Sequence, residues 1–413
     1  MNNYFFGIIT FVFLLGLCSW QKTARWFITL IPLYYAPFLF VEDIYSEDWI
    51  FLRAGKDVLS FTILVSWIIY LAKRRSLKKW NSLLPSLLIA FFILLGIFKI
   101  IYLDESVQVE ILRLFLLSPI WYFLSVYIYP KNFYVKQQIY RWVLVSFLVS
   151  LIGIGEWLFL SQENIFSKAA GQTRVVSTLF NPNALGWYLF AMNALLIGAS
   201  NQKWKSTKRF EFSPPYTLLV LSINCFTMVL SGSRSALIPN FLMLGCWILL
   251  KFKNGVVAFF GLSFGLIAIT IISISTLNFQ IYQIRAFSSF QTLRWDIYKK
   301  FLVLVSQANP IEFLTGFNEN SYNLANKLGL INDSYVLAVG SIAGIISVII
   351  LFLAIVLSLI LKNKQYQQQP SLLYLVLGLS LIGVIGNVQG IFPHGIIFWV
   401  CLGLMNSKNS QNI

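Results

Sequence analysis

Apolar residues come in long runs separated by short polar stretches, and most runs approach the roughly 20 residues that an α-helix needs to cross a bilayer. The runs cover about 4–20, 26–40, 57–72, 83–103, 107–129, 139–160, 183–200, 215–230, 234–250, 255–277 and 335–361. The tail 371–405 is broken at Gly386-Asn387-Val388-Gln389-Gly390 and again at Pro393-His394-Gly395, so it predicts two short spans or one span and a re-entrant piece. The expected fold is all-α: one integral membrane domain over 1–413, with 12 or 13 transmembrane helices. The first run has no basic residue before it and Lys22 and Arg25 just after it. That is the reverse of a signal peptide's charged start, and it predicts a retained span with its N-terminus outside.

One connection, 278–331, is too long to be a simple link. Over 291–306, Leu293, Ile297, Phe301 and Leu304 share a stripe, with Arg294, Asp296, Lys299 and Lys300 elsewhere, and the pattern stops at Asn309-Pro310. This predicts an amphipathic helix that lies on the membrane or caps a cavity. Asp296 and Lys300 form an acid-first i,i+4 pair of the kind that stabilises a helix surface.

Composition agrees with the membrane class: 58% of residues are hydrophobic and 11% charged, against roughly 45–50% and 25% in soluble domains. The net charge of +16 does not point to nucleic acid, because the bases sit in short loops between apolar runs. Counted by alternate loops, nineteen bases, from Lys22 to Lys408, fall on one side and ten on the other, half of those ten in 278–331. The positive-inside rule makes the richer side cytoplasmic, and Glu211 is the only loop acid there. Arg174, Arg234 and the long loop then share the outer face. Cys18, Cys225, Cys246 and Cys401 lie in apolar runs without CxxC spacing, so no disulfide framework, metal site or other cofactor is expected.

Three outward helix starts carry the candidate chemistry. Ser231-Gly232-Ser233-Arg234-Ser235-Ala236 is a polar turn between two spans, with Ser233 as N-cap of the helix entered at Arg234. Arg174 precedes Asn181-Pro182-Asn183, where Asn181 can cap and Pro182 suits the first helical position. Asn332 can cap the third start, where Asp333 has the sign that a helix N-terminus favours. Unpaired N–H groups and arginines at such ends make an anion site of pyrophosphate size, with Asp333 as a possible proton acceptor. Arg285 and Arg294 in the long loop, and His394, are further candidates.

The order of these features carries a resemblance. Arg174 to Asn183, then Ser233-Arg234-Ser235-Ala236, then a large loop with a helix around Trp295, then Asn332-Asp333-Ser334-Tyr335 with Gly340 and Gly344 following, resembles the O-antigen polymerase and O-antigen ligase superfamily over about 171–350. The resemblance implies an inverting, metal-independent glycosyltransferase of GT-C-like helical fold at the outer face of a bacterial cytoplasmic membrane. Asn332 stands where ligases carry a loop histidine, and Gln291 stands where members often carry an arginine one turn before the tryptophan.

These departures point to the polymerase branch. In it, the non-reducing-end hydroxyl of a new repeat attacks the anomeric carbon of a glycan held on undecaprenyl pyrophosphate. Arg174 and Arg234 would stabilise the leaving pyrophosphate, with Asp333 orienting or deprotonating the acceptor hydroxyl. Asn181, Asn183, Ser233, Ser235, Arg285, Arg294, Asn332, Tyr335 and His394 would line the substrate. The implied partners are undecaprenyl-pyrophosphate-linked donor and acceptor, membrane lipids and a chain-length co-polymerase.

The alternatives are a ligase passing the glycan to a lipid or protein acceptor and, from another class, a lipid-linked oligosaccharide flippase. A transporter is expected to show internal repeats and charges at mid-span, and only Lys99, Glu110 and Arg113 approach that depth. Glu110 and Arg113 could pair at i,i+3. Glu42-Asp43 and Glu47-Asp48 lack the Asp-x-Asp spacing with which two carboxylates meet one cation.

Overall fold

A computed structural model of the chain describes residues 20–34, 36, 50–74, 83–102, 111–130, 132–159, 174–179, 181–200, 212–251, 293–317, 334–360, 370–385 and 393–406. All regular structure among them is helical. The order is α1 (20–30), a 3-10 turn Ile31–Leu33, α2 (Ile50–Arg74), α3 (Leu83–Tyr102), a π-helical segment Leu112–Leu117, α4 (Ile120–Ile128), α5 (Asn132–Phe159) and a 3-10 turn Ser177–Leu179. There follow α6 (Pro182–Ser200), α7 (Pro214–Ser231), α8 (Arg234–Lys251), α9 (Leu293–Gln307), α10 (Pro310–Thr315), α11 (Tyr335–Ile360), α12 (Pro370–Ile385) and α13 (His394–Asn406). Five helices among the described residues are long and apolar enough to cross a bilayer, and the chain is a multi-pass membrane protein.

Most expected runs are helices within a few residues of their predicted bounds, including the amphipathic stretch, which is α9. The expected spans over 4–19 and 255–277 lie outside the described residues. Three helices begin well ahead of their predicted bounds: α1 is already helical at 20 instead of 26, α2 starts at Ile50 instead of 57, and α5 at Asn132 instead of 139. Helix α1 runs through 21–25, where a basic loop was expected, so Lys22 and Arg25 ride on the helix itself and Pro32 ends it through the 3-10 turn. Long basic side chains permit this, because they can reach the interface while their stems stay in apolar surroundings. The expected run 107–129 is also split. The Ser118 N–H reaches back to the carbonyl of Arg113, and α4 starts only after Pro119, which has no N–H to continue the ladder.

Helix α6 is the centre of the bundle. It is apolar on every side, buried from Ala184 to Ala199, and packed by α5, α7, α8 and α12, as a helix without a polar face must be. A chain of buried amides ties it to its neighbours. Ser150 Oγ on α5 donates to Asn224 Oδ1 on α7 (2.8 Å), and Asn224 Nδ2 donates to Asn193 Oδ1 on α6 (2.8 Å). Asn193 Nδ2 then donates to Asn240 Oδ1 on α8 (3.0 Å), whose Nδ2 meets Cys225 Sγ (3.2 Å). In an apolar solvent such amides hold helices together, at about 0.6 kcal/mol per bond.

Helix α11 is interrupted. Ala343 and Gly344 leave helical geometry, Gly344 with φ 71°, and a side chain at either Gly344 or Gly316 would collide with the backbone of the other's segment. The end of α10 therefore seats in the break, where the Phe317 N–H also donates to the Ser341 carbonyl (2.8 Å).

The bundle has two distinct ends. At one end the start of α1, the end of α4 and the start of α5 come together through Arg25, Ile128 and Tyr134, and Phe212, just ahead of α7, stacks on Tyr140. At the other end the close of α5 and α7 meets the starts of α6, α8 and α13.

Candidate functional site

The site is built on a short arm, 174–176 and the 3-10 turn Ser177–Leu179, laid across the end of α5. Glu156, buried near the close of α5, accepts the backbone N–H groups of Val176 (3.2 Å) and Ser177 (2.6 Å) on its carboxylate. Ser177 adopts φ 48°, a left-handed conformation that costs a non-glycine residue about 1 kcal/mol or more. Two side-chain bonds offset that cost: Ser177 Oγ donates to the Val149 carbonyl (2.7 Å), and Thr178 Oγ1 donates to the Pro32 carbonyl (2.5 Å).

The arm aims Arg174 at the turn between α7 and α8. Its Nε donates to the Ser231 carbonyl (2.8 Å) and its Nη2 to Asn183 Oδ1 (2.8 Å), while the Val175 N–H donates to the Leu230 carbonyl (3.3 Å). Arg174 is only 4% exposed. Two bonds from one planar guanidinium fix its orientation. The turn itself is made by Gly232, in the left-handed conformation that closes α7, and α8 begins at Arg234, which is partly exposed. Asn181 caps α6 as expected: its Oδ1 accepts the N–H groups of Asn183 (2.8 Å) and Ala184 (3.1 Å), with Pro182 as the first helical residue.

Helix α6 and the turn are in intimate contact. Trp187 Nε1 donates to Ser235 Oγ (2.9 Å), and Gly186 packs so closely on Ser233 that a Cβ there would collide with the serine side chain. His394 Nε2 lies 2.8 Å from the Ala184 carbonyl, its ring edge-on to Trp187 and Tyr188. The N-termini of α6, α8 and α13 thus share one end with Arg174 and Arg234. Each such terminus carries roughly half a positive charge, which favours an anion there.

Several expected roles need correction. Ser233 precedes α8, but its hydroxyl is buried without a hydrogen-bond partner, so it does not cap through its side chain; its carbonyl accepts from Ala236 and Leu237 instead. The contact with Gly186 holds the hydroxyl against α6. At the start of α11 the Ser334 Oγ accepts the Leu337 N–H (3.4 Å), so Ser334 serves as a cap. Tyr335 faces the interior, 1% exposed, with its hydroxyl on the Leu114 carbonyl (3.3 Å), so it lines no open site. His394 is likewise 1% exposed and has the surroundings of a structural histidine. Arg113, for which Glu110 was the expected partner, donates to Asp57 (2.7 Å). Asn332, Asp333 and Arg285, with the side chain of Arg294, lie outside the described residues.

Glu156 escaped the sequence reading, although one signal was present. It is the only acid in the apolar run 139–160, and a lone carboxylate in a span marks a function or a specific partner. Comparison of the chain with protein-family models, curated proteins and solved structures finds no match.

Proposed function

We propose that the protein is a glycan polymerase that joins repeat units carried on undecaprenyl pyrophosphate at the outer face of the cytoplasmic membrane. The observation that carries this reading is the bond from Arg174 to the Ser231 carbonyl. It brings an arginine from one outward turn onto the turn that bears Arg234, beside the N-termini of α6 and α8. Departure of the lipid leaves a diphosphate whose growing charge is the main electrostatic demand of the reaction, and fixed guanidinium groups and helix ends answer that demand without reorganising. The GT-C-like fold, the outer-face location and the metal-independent inverting chemistry belong to this same proposal, as does Asp333 as the group that orients the acceptor hydroxyl.

A transporter is the second reading, favoured by the interruption of α11, since broken membrane helices often bind cargo. Here the break is filled by the chain's own Leu314–Gly316 segment, which favours the enzyme. Purified protein given lipid-linked repeat units in the presence of a chelator is expected to lengthen glycans, and Arg174→Ala or Arg234→Ala to abolish that. A guanidinium can grip a phosphate through two parallel N–H bonds and an ammonium cannot, so full activity in Arg234→Lys would overturn this role for Arg234. Deletion of the gene is expected to leave single repeats on lipid; full chains on lipid would indicate a ligase.

A further inference from the structure

The end of the bundle opposite Arg174 carries a second group of arginines with a different setting. The Arg25 guanidinium lies 4.3 Å from the centre of the Tyr134 ring and donates Nη1 to the Ile128 carbonyl (3.5 Å). The Arg141 guanidinium lies 4.5 Å from the centre of the Trp26 ring. Tyr134 and Arg141 stand i and i+7 on one face of α5, and Gln138 between them exchanges hydrogen bonds with Thr29 of α1 (2.8 Å). The two cations are therefore held along one seam between α1 and α5. Both are part-exposed, and Trp26 between them is 51% exposed.

Neither ring neutralises a charge. Among the described residues of 20–34, 111–155 and 212–231, the bases in this region are Lys22, Arg25, Lys136 and Arg141, and there is no acid; Glu211, next in sequence to Phe212, lies outside the described residues. A guanidinium stacked on a ring by its face keeps its N–H edges in the plane for an oxyanion. An indole half out of the protein at the same level has the placement of an interfacial tryptophan. The loop charges assign this end to the cytoplasmic leaflet, where anionic lipids are attracted to clustered bases.

We infer that Arg25 and Arg141, with Trp26 between them, form a binding site for the phosphodiester headgroup of an anionic glycerophospholipid. Trp26 packs along the glycerol and upper acyl region while the two guanidinium edges hold the phosphate. The site does not depend on the glycan chemistry proposed above, and it lies at the other end of the bundle.

The test uses the full chain in nanodiscs of phosphatidylcholine with and without phosphatidylglycerol, read by thermal unfolding and by native mass spectrometry of retained lipid. Phosphatidylglycerol is expected to raise the unfolding temperature and to remain bound. Each of Arg25→Gln and Arg141→Gln is expected to weaken its binding about five-fold, in keeping with the contribution of one base near an anionic surface. Soluble glycerol phosphate is expected to give no shift, which separates a lipid from a free phosphate. For the wild-type chain, whose folding is not in question, the shift is expected to shrink in high salt. An equal response to both lipids in the wild type, or undiminished retention in the double Arg25→Gln/Arg141→Gln variant, would overturn the site.

Discussion

Arg174 and Arg25 occupy opposite ends of the same bundle and are held by different physics. Arg174 is buried, and its guanidinium is pinned by directed bonds to the Ser231 carbonyl and to Asn183 on the far side of a turn. Arg25 is part-exposed and rests on the face of Tyr134, with one long bond to a carbonyl. Directed bonds fix both position and plane, whereas a ring face fixes the plane and lets the group slide. The first arrangement suits a charge that must meet a developing charge at one place. The second suits a charge that meets a mobile headgroup.

This contrast can be broken by substitution. Arg174→Ala leaves the Ser231 carbonyl and the Asn183 oxygen short of a donor inside the protein, and is expected to destabilise the chain by about 3 kcal/mol. Arg25→Ala, which gives up a cation–π contact near the surface, is expected to cost about 1 kcal/mol or less. Thermal unfolding of both variants in one detergent measures the difference, and equal losses would remove the distinction.

Glu156→Ala comes next. It orphans the N–H groups of Val176 and Ser177 and releases the left-handed Ser177, at about 2 kcal/mol, and is expected to reduce glycan extension nearly as far as Arg174→Ala does. Glu156→Gln keeps one acceptor oxygen and is expected to fall between. A stability loss with full activity in Glu156→Ala would show that the arm does not aim the arginine.

Ser233→Ala sharpens the comparison with the smallest structural effect. The hydroxyl has no partner to lose, so the unfolding free energy is expected to stay within about 0.5 kcal/mol of wild type. The hydroxyl is also fully buried, so extension is expected to stay near the wild-type rate, and a large fall in that variant would show that the turn opens to substrate.

Much of the architecture was legible because lipid leaves a chain few choices. Every N–H and C=O in the apolar layer must be satisfied internally, so the length of an apolar run nearly equals the length of a helix, as for Leu83–Tyr102 and Tyr335–Ile360. The same logic fails at 21–25, where Lys22 and Arg25 can reach the interface from within a helix. It also fails at Ala343-Gly344, two small residues that give no sign of a break until α10 is brought against them.

Within the site, Asn181-Pro182 was readable because its capping bonds are local. In Asn332-Asp333-Ser334 three residues able to cap stand in a row, and spacing alone does not single out Ser334, which caps α11. Ser233 lost its expected role to a neighbour far away in the chain, Gly186, and Glu156 gained one from Val176 and Ser177, some twenty residues on. Roles set by distant backbone are not written in local spacing.

The seat that Gly316 and Gly344 form for each other has a consequence for how this chain can be altered. Residues 293–317 cannot be exchanged with those of another protein as a free-standing cassette, since the incoming segment must fit a notch cut into a separate helix. A workable chimera would carry 293–317 and 334–350 across together, and the two stretches should drift or stay constant as a pair.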